Sequence, residues 1–295
     1  MSEDRAIRRR YAPGGLGRRV ARTRFSNTTG RVQTKADSTM RVFAQVARPG
    51  LRPFIDRFLV VESFGLRRDA HLPDIRPVAA FSFRGECRLD GGRRVPAAAF
   101  TGLHGTLRAH EHAGGHAVLL ATFTPAGAAA FLRPSQEAFS GTTTDLAGLL
   151  GRPEELDRLH ERLAASPNHG RRIALLEDFL LGRLRLAAPD PLVTAAVNWL
   201  EAESGHKRID ELTRYIGLSQ SALERRFRRV VGVSPKAFAS LVRLRRAVRL
   251  RNAGADFAAV AHGAGYFDQA HFINAFRRVA GCTPAAFFPR ATANE

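Results

Sequence analysis

Two pairs of adjacent arginines stand at equivalent places in a segment that occurs twice near the C-terminus. The segment Phe227–Phe238 recurs 49 residues later as Phe276–Phe287, with eight of twelve positions identical, and the pairs are Arg228–Arg229 and Arg277–Arg278. A guanidinium group presents a planar set of N–H donors that matches phosphate oxygens, so these pairs could bind a polyanion. A repeat of this length indicates that one supersecondary unit is used twice.

Each unit is predicted to fold as a helix, a tight turn and a second helix. In the first, a helix over 210–216 ends at Gly217 in the left-handed conformation, and Ser219 caps the next helix. In the second, Gly265 ends a helix and Asp268 caps the next. This shape is typical of the helix-turn-helix motif, whose second helix enters the major groove of DNA. The alternative is an ordinary helical hairpin with a solvated outer face, and the repeated arginine pairs favour DNA binding over it.

A single helix is predicted between the units. Ser234 caps it, Pro235 takes its first position, and it continues to Arg251. Its roughly 17 residues span about 26 Å, and successive major-groove faces lie about 34 Å apart. One chain could therefore hold two reading heads on one face of DNA, as a dimer does.

The tandem units, the linker helix and the closing run Gly263–Phe287 resemble the AraC/XylS transcription regulators, over about a third of the chain. The resemblance implies that certain positions face the bases: Gln220, Ser221, Glu224, Arg225, Gln269, Ala270, His271 and Asn274. Four arginines further along the helices are expected to contact phosphate, a contact that positions the protein on DNA without selecting a base sequence. They are Arg228, Arg229, Arg277 and Arg278. Glu224 has an alternative role as the internal partner of Arg228, and His271 could equally be a surface residue.

The N-terminal part shows short apolar runs broken by Gly and Pro, which predict strands at 58–64, 78–83, 95–100 and 117–123. Helices are predicted at 153–165, 171–186 and 192–202. The run 123–132 resembles a motif in the sensor half of many AraC-like proteins, which implies a small cupin-like barrel; its alternative is a simple strand end and helix start. The expected fold is α+β and multidomain: a small β-barrel-like domain with flanking helices, then an all-α domain with two helix-turn-helix units joined by a linker helix.

Four histidines lie within thirteen residues, beginning at His104. His110 and His112 would share one face of a strand, and with His116 they are candidate ligands for zinc or another divalent metal. However, residues 113–115 are typical of a hairpin turn, which would place the cluster at an exposed loop tip. We therefore predict neither a metal nor another cofactor.

The net charge of +19, from 46 basic and 27 acidic residues, is unevenly distributed. Residues 1–39, at net +7 and without apolar periodicity, are predicted to be a disordered basic arm, or else the product of a start codon assigned too far upstream. Residues 40–188, at net +5, form the predicted sensor or dimerisation domain. Residues 189–295, also at net +7, form the predicted DNA-binding domain, and the 13 basic against 3 acidic residues between 207 and 251 suit a nucleic-acid partner.

Several function classes lack support in the sequence. Two cysteines, Cys87 and Cys282, are too few for a disulfide framework or a four-cysteine zinc site. No run of 18 apolar residues predicts a membrane span. No P-loop, dinucleotide fingerprint, nucleophile elbow or paired-carboxylate motif appears, so we expect no enzyme.

We expect a cytoplasmic, nucleoid-associated regulator that binds double-stranded promoter DNA and RNA polymerase. A small-molecule effector and a second copy of the chain are further partners that the sequence leaves open. The alternatives are a metal-binding cupin-type enzyme or DNA-repair protein carrying a DNA-binding module, and non-specific coating of DNA by arginine.

Overall fold

The chain changes from strands to helices near residue 150, as the patterns of its two halves predict. The computed structural model describes residues 40–288. Within that range the ten strands are β1 (Met40–Val46), β2 (Ile55–Ser63), β3 (Arg67–His71), β4 (Val78–Arg84), β5 (Cys87–Leu89), β6 (Arg93–Arg94), β7 (Ala98–Thr101), β8 (Arg108–His112), β9 (Ala117–Phe123) and β10 (Thr143–Asp145). The nine α-helices of the same range are α1 (Pro153–Ala165), α2 (His169–Leu181), α3 (Pro191–Ala202), α4 (Ile209–Ile216), α5 (Gln220–Val231), α6 (Pro235–Asn252), α7 (Phe257–Gly263), α8 (Gln269–Ala280) and α9 (Pro284–Phe287).

The strands form two antiparallel sheets. One has the order β1-β2-β9-β4-β7-β10 and the other the order β3-β8-β5-β6. The larger sheet supplies most of an apolar core in which Phe58, Phe100 and Phe123 are fully buried. Phe100 and Phe123 meet edge to face, with ring centroids 6.0 Å apart, a geometry that aromatic pairs prefer. The expected N-terminal β domain is thus confirmed, and its strands pair in antiparallel fashion.

Helices α1 and α2 cover this domain. In α1 the buried residues Leu156, Leu159 and Leu163 recur at helical spacing, so one face of the helix packs on the core. Helix α2 is fixed by Glu177, whose buried carboxylate accepts hydrogen bonds from the backbone N–H of Arg48 at 2.7 Å and from its Nε at 2.9 Å. A buried carboxylate requires such partners, so this pair ties α2 to the strand domain.

Local signals set the helix ends in the C-terminal region as predicted. Gly217, Gly232 and Gly281 adopt left-handed φ angles of 74°, 96° and 74°. This conformation costs a residue with a Cβ about 1–2 kcal/mol. The linker helix α6 has 18 residues, one beyond the predicted end at Arg251, and Ser234 caps it through the N–H of Ala237. The all-α region with two helix-turn-helix units and a linker helix is confirmed.

One apolar cluster crosses the predicted boundary between residues 188 and 189. Ile75, Leu103 and Ala126 of the β domain pack in the same cluster as Phe227 and Phe238 of the helical region. The backbone N–H of Leu107 also donates to the carbonyl of Val279, on α8, at 2.9 Å. The boundary stays a prediction, and the two regions share a core around it.

Some elements differ from the expectation. The strand predicted at 95–100 is confined to β7, which begins at Ala98, because Pro96 has no N–H to donate to a neighbouring strand. The helix predicted to reach residue 186 ends at Leu181, before Gly182. Strand β3 was missed because its sequence is polar. The predicted arm at 1–39 lies outside the described residues.

Among the described residues no helix combines the length and apolar character that a membrane span needs.

Two glycines with similar backbone conformations test the contact between the regions. A Cβ at Gly217 would meet no atom within 4 Å, whereas a Cβ at Gly232 would lie 2.8 Å from the carbonyl oxygen of Gln136, in the β domain. We expect Gly217→Ala to lower the free energy of unfolding by about 1–2 kcal/mol, and Gly232→Ala to lower it further because its methyl group displaces Gln136. Urea unfolding of both variants measures the difference. Equal losses would contradict this close approach.

Candidate nucleic-acid interface

The first helix-turn-helix unit consists of α4, the turn at Gly217 and α5. Ser219 Oγ accepts a hydrogen bond from the N–H of Ala222 at 3.3 Å, which starts α5 one residue after the cap. Leu223 and Phe227 are buried, so the opposite face of α5 is turned to solvent. The exposed side chains on that face are Gln220, Ser221, Arg225 and Arg229.

The second unit consists of α7, the turn at Gly265 and α8. Asp268 Oδ1 accepts a hydrogen bond from the N–H of His271 at 2.6 Å and caps α8. Phe272 and Phe276 are buried. The exposed side chains are Gln269, Ala270, His271, Asn274, Arg277 and Arg278. Both helices therefore present amide and guanidinium groups, which can read adenine and guanine in the major groove.

Glu224 is held by Arg228 within α5. Arg228 Nη2 lies 2.8 Å from Glu224 Oε1, and Arg228 Nε donates to the same oxygen at 3.1 Å. This is the internal pairing that was the alternative to a base contact for Glu224. The hydrogen bond that the Arg228 guanidinium donates to Glu224 raises the pKa of Arg228 above its ordinary value. The base contact of Glu224 and the phosphate contact of Arg228 stay predictions, and both require this pair to open.

A carboxylate of the β domain also reaches the first unit. Glu137 lies in a 3-10 turn, Gln136–Phe139, and its Oε1 lies 3.2 Å from Arg228 Nη1. An open groove of about 340 Å³ separates this turn from α5, and it is lined by Glu137, Ser221, Glu224, Arg225 and Arg228. No sequence pattern indicates this contact, because Glu137 and Arg228 are 91 residues apart.

His271 supports the turn before α8. Its Nδ1 accepts a hydrogen bond from the backbone N–H of Phe267 at 3.2 Å. Its ring meets Tyr266 edge to face, with centroids 5.4 Å apart. His271 is an exposed residue with a structural contact, and its base contact stays a prediction.

Several arginines of the basic stretch 207–251 are engaged inside the protein. Arg226 Nε lies 2.7 Å from Asp190 Oδ2. Arg245 Nη1 lies 3.0 Å from Glu201 Oε1, and Arg246 Nη1 donates to Ser204 Oγ at 3.0 Å. The stretch therefore offers DNA less positive charge than its composition suggests.

The expectation that the histidine cluster lies at an exposed hairpin tip is wrong. Strand β8 pairs with β3 and β5, whereas β9 pairs with β2 and β4. The turn at 113–115 therefore passes from one sheet to the other instead of closing a hairpin. His116 is only 2% exposed, and His110 and His112 are partly buried on β8.

The buried histidines form a polar chain. Ser82 Oγ lies 3.2 Å from His116 Nε2, the Nδ1 atoms of His116 and His112 are 3.0 Å apart, and His112 Nε2 lies 3.9 Å from Asp69 Oδ2. Neutral rings satisfy this chain if Ser82 donates to His116, His116 donates to His112, and the Nε2–H of His112 faces Asp69. Over residues 40–288, no three His, Cys, Asp or Glu side chains converge so as to hold a metal ion.

Burial in this region disfavours charge. It lowers the pKa of His116 to about 4 and that of His110 to about 3, with neighbouring histidines and arginines adding to both shifts. Burial raises the pKa of the Cys87 thiol to about 11, assisted by Asp69. The thiol thus stays protonated at neutral pH, and a thiol in that form is a poor nucleophile and metal ligand.

One comparison with known proteins concerns the C-terminal region. Residues 212–290 match the family model of a helix-turn-helix domain. Two curated proteins described as AraC-like transcription regulators are similar over 100 residues, one from Streptomyces antibioticus at 33% identity and one from Streptomyces lividans at 31%. The matched segment covers 33% of this chain and 33% of each relative. The similarity thus spans about a third of the length of the curated relatives.

Two solved structures are similar over a larger share of the chain. ToxT from Vibrio cholerae, bound to an unsaturated fatty acid, is 11% identical with a TM-score of 0.45, covering 89% of this chain and all of that one. The AraC-like transcriptional activator CuxR is 14% identical with a TM-score of 0.29, covering 74% of this chain and 83% of that one.

The buried histidines generate a prediction about pH. Because the pKa of His116 is lower in the folded protein than its ordinary 6.5, the unfolded chain takes up the proton first as pH falls. The contribution of neutral His116 to the free energy of unfolding is complete above pH 6.5. It is lost at about 1.4 kcal/mol per pH unit as the pH falls toward 4. His116→Gln should flatten the loss of unfolding free energy between pH 7 and pH 5, as measured by urea unfolding. His160→Gln, on α1, is the matched control, and identical slopes for the wild type and His116→Gln would contradict the prediction.

Proposed function

We propose, from the premise that residues 212–290 form an AraC-type helix-turn-helix domain, that this protein regulates transcription by sequence-specific binding to promoter DNA. The observation that carries the proposal is the repeated exposed face: α5 and α8 carry polar side chains at positions 49 residues apart, each opposite a buried phenylalanine. A merely solvated helical hairpin does not require this repetition. Binding to two successive major grooves of DNA does require two equivalent recognition helices.

We assign the individual roles by chemistry. Gln220 and Gln269 occupy the first turn of the two recognition helices, where side chains reach base edges, and glutamine can bind adenine at two points. Arg225 can bind guanine in the same way, and Asn274, at the equivalent place in the second unit, suits adenine. Ser221, Ala270 and His271 complete the base-facing set, with Glu224 as a member once it leaves Arg228. Phosphate contacts come from Arg228, Arg229, Arg277 and Arg278.

The N-terminal β domain is proposed to modulate this binding, through a small-molecule effector or through a second copy of the chain. Its support is the apolar cluster shared by Ile75, Leu103 and the recognition helix α5. A displacement of the β domain would disturb the packing of α5. RNA polymerase is the further partner that a transcription regulator needs. The alternative of a metal-binding cupin-type enzyme finds no converging ligand set in the described part of the chain.

Arg225 provides the test of specific binding. We expect Arg225→Ala to reduce discrimination between a duplex from the protein's own upstream region and a scrambled duplex by about 1–3 kcal/mol. Arg158→Ala, which removes an exposed arginine of α1, is the matched control and should leave discrimination unchanged. Gel-shift titrations at one fixed salt concentration measure both. Equal affinity of the wild type for both duplexes would reject the specific regulator in favour of non-specific coating.

Glu137 provides a test of the contact between the β domain and α5. We expect Glu137→Gln to tighten DNA binding by roughly fivefold at low salt, because the carboxylate no longer competes with phosphate for Arg228. The measurement is the dissociation constant for the same upstream duplex.

A double variant provides the control. In an Arg228→Gln background, Glu137→Gln should give a much smaller gain in DNA affinity, because the guanidinium for which Glu137 and phosphate compete is absent. The same fivefold gain in both backgrounds would show that Glu137 acts only through general charge repulsion from DNA.

A further inference from the structure

The two helix-turn-helix units differ by one residue in the turn. In the first unit, Leu218 alone stands between Gly217 and the cap Ser219. In the second unit, Tyr266 and Phe267 both stand between Gly265 and the cap Asp268. The second recognition helix therefore begins with one additional side chain next to it.

Tyr266 takes the place that Leu218 holds in the first unit. Leu218 packs against the apolar cluster of its unit. Tyr266 is buried in the corresponding cluster of the second unit, and its ring lies 5.3 Å from that of Phe272. The additional residue is thus Phe267, which is 93% exposed, more than any other large apolar side chain in the described part of the chain.

The backbone that carries Phe267 is held in place on both sides. Its N–H donates to His271 Nδ1 at 3.2 Å, and the next residue, Asp268, caps α8 through the N–H of His271 at 2.6 Å. Tyr266 anchors the other side in the core. The phenyl ring therefore projects from a fixed point beside the first turn of α8, rather than from a loose loop.

The surroundings of the ring favour DNA over a protein partner. The exposed neighbours Gln269 and Ala270 belong to the face proposed to read bases, and Arg277 and Arg278 give the same helix its positive charge. The N-terminal end of a recognition helix is the part that contacts base edges. In the major groove the apolar group that a base pair presents is the C5-methyl of thymine.

We propose that Phe267 is a specificity-determining residue that packs against a thymine C5-methyl group beside the bases read by α8. The inference rests on the proposed DNA-binding function and deepens it. It also gives His271 a positioning role, because the imidazole holds the backbone of Phe267. The first unit, which lacks a counterpart of Phe267, should show no such thymine preference at the equivalent place.

The experiment uses the full chain and a random-sequence duplex library. The wild type should select thymine at one position next to the half-site of the second unit, and Phe267→Ala should lose that preference alone. On the selected duplex, replacing that thymine by deoxyuridine removes only the methyl group. It should weaken wild-type binding about fourfold, the effect of burying one methylene-sized group, and should leave Phe267→Ala unaffected.

Leu66→Ala, which truncates another exposed apolar side chain, is the matched control and should retain the preference. The thymine contact is overturned if Phe267→Ala keeps the thymine preference. It is also overturned if Phe267→Ala binds the thymine duplex and the deoxyuridine duplex more weakly than the wild type does by the same factor. If the wild type selects no sequence at all, the proposed specific regulator itself fails, and the two failures are thereby distinguished.

Discussion

A buried phenylalanine at an equivalent position lies on the inward face of α5 and of α8, and it helps to set the orientation of both helices. Phe227 of α5 is fully buried against Phe238, with ring centroids 5.5 Å apart, and Phe276 of α8 is buried against Phe272 and Phe287. At 3.6 residues per turn, residues two positions to either side lie on the opposite face. Those residues are Arg225 and Arg229 in the first helix and Asn274 and Arg278 in the second. The same apolar anchor therefore determines which side chains face solvent in both units.

The β domain bears on both anchored helices. Gln136 and Glu137 approach α5, where Gly232 leaves room for the carbonyl of Gln136 and Arg228 pairs with Glu137. On the other unit, the backbone of Leu107 bonds to Val279 near the end of α8. Each helix-turn-helix unit therefore has its own contact with the same β domain.

The sequence predicted what short-range signals determine. Helix caps such as Ser219 and Asp268, and the left-handed glycines after the helices, act within three or four residues, so the two units were predicted nearly to their ends. Contacts through space were not predictable: Glu137 reaches Arg228 across 91 residues, and the link between His112 and His116 depends on a turn that passes between sheets. Strand β3 was missed because an inward-facing ion pair, Arg67 with Asp69 at 2.7 Å, replaces the apolar alternation that marks a strand.

The distribution of arginine changes the meaning of the large net charge. A protein that coats DNA needs many available cations along one surface. In the basic stretch of this chain, Arg226, Arg245 and Arg246 instead hold the helices together through Asp190, Glu201 and Ser204. Among the described residues, Arg225, Arg229 and Arg277 make no ion pair and lie on the exposed faces of the recognition helices. A few guanidinium groups at repeated positions suit binding to particular DNA sequences. The total of +19 is therefore weaker support for a protein that coats DNA without sequence preference.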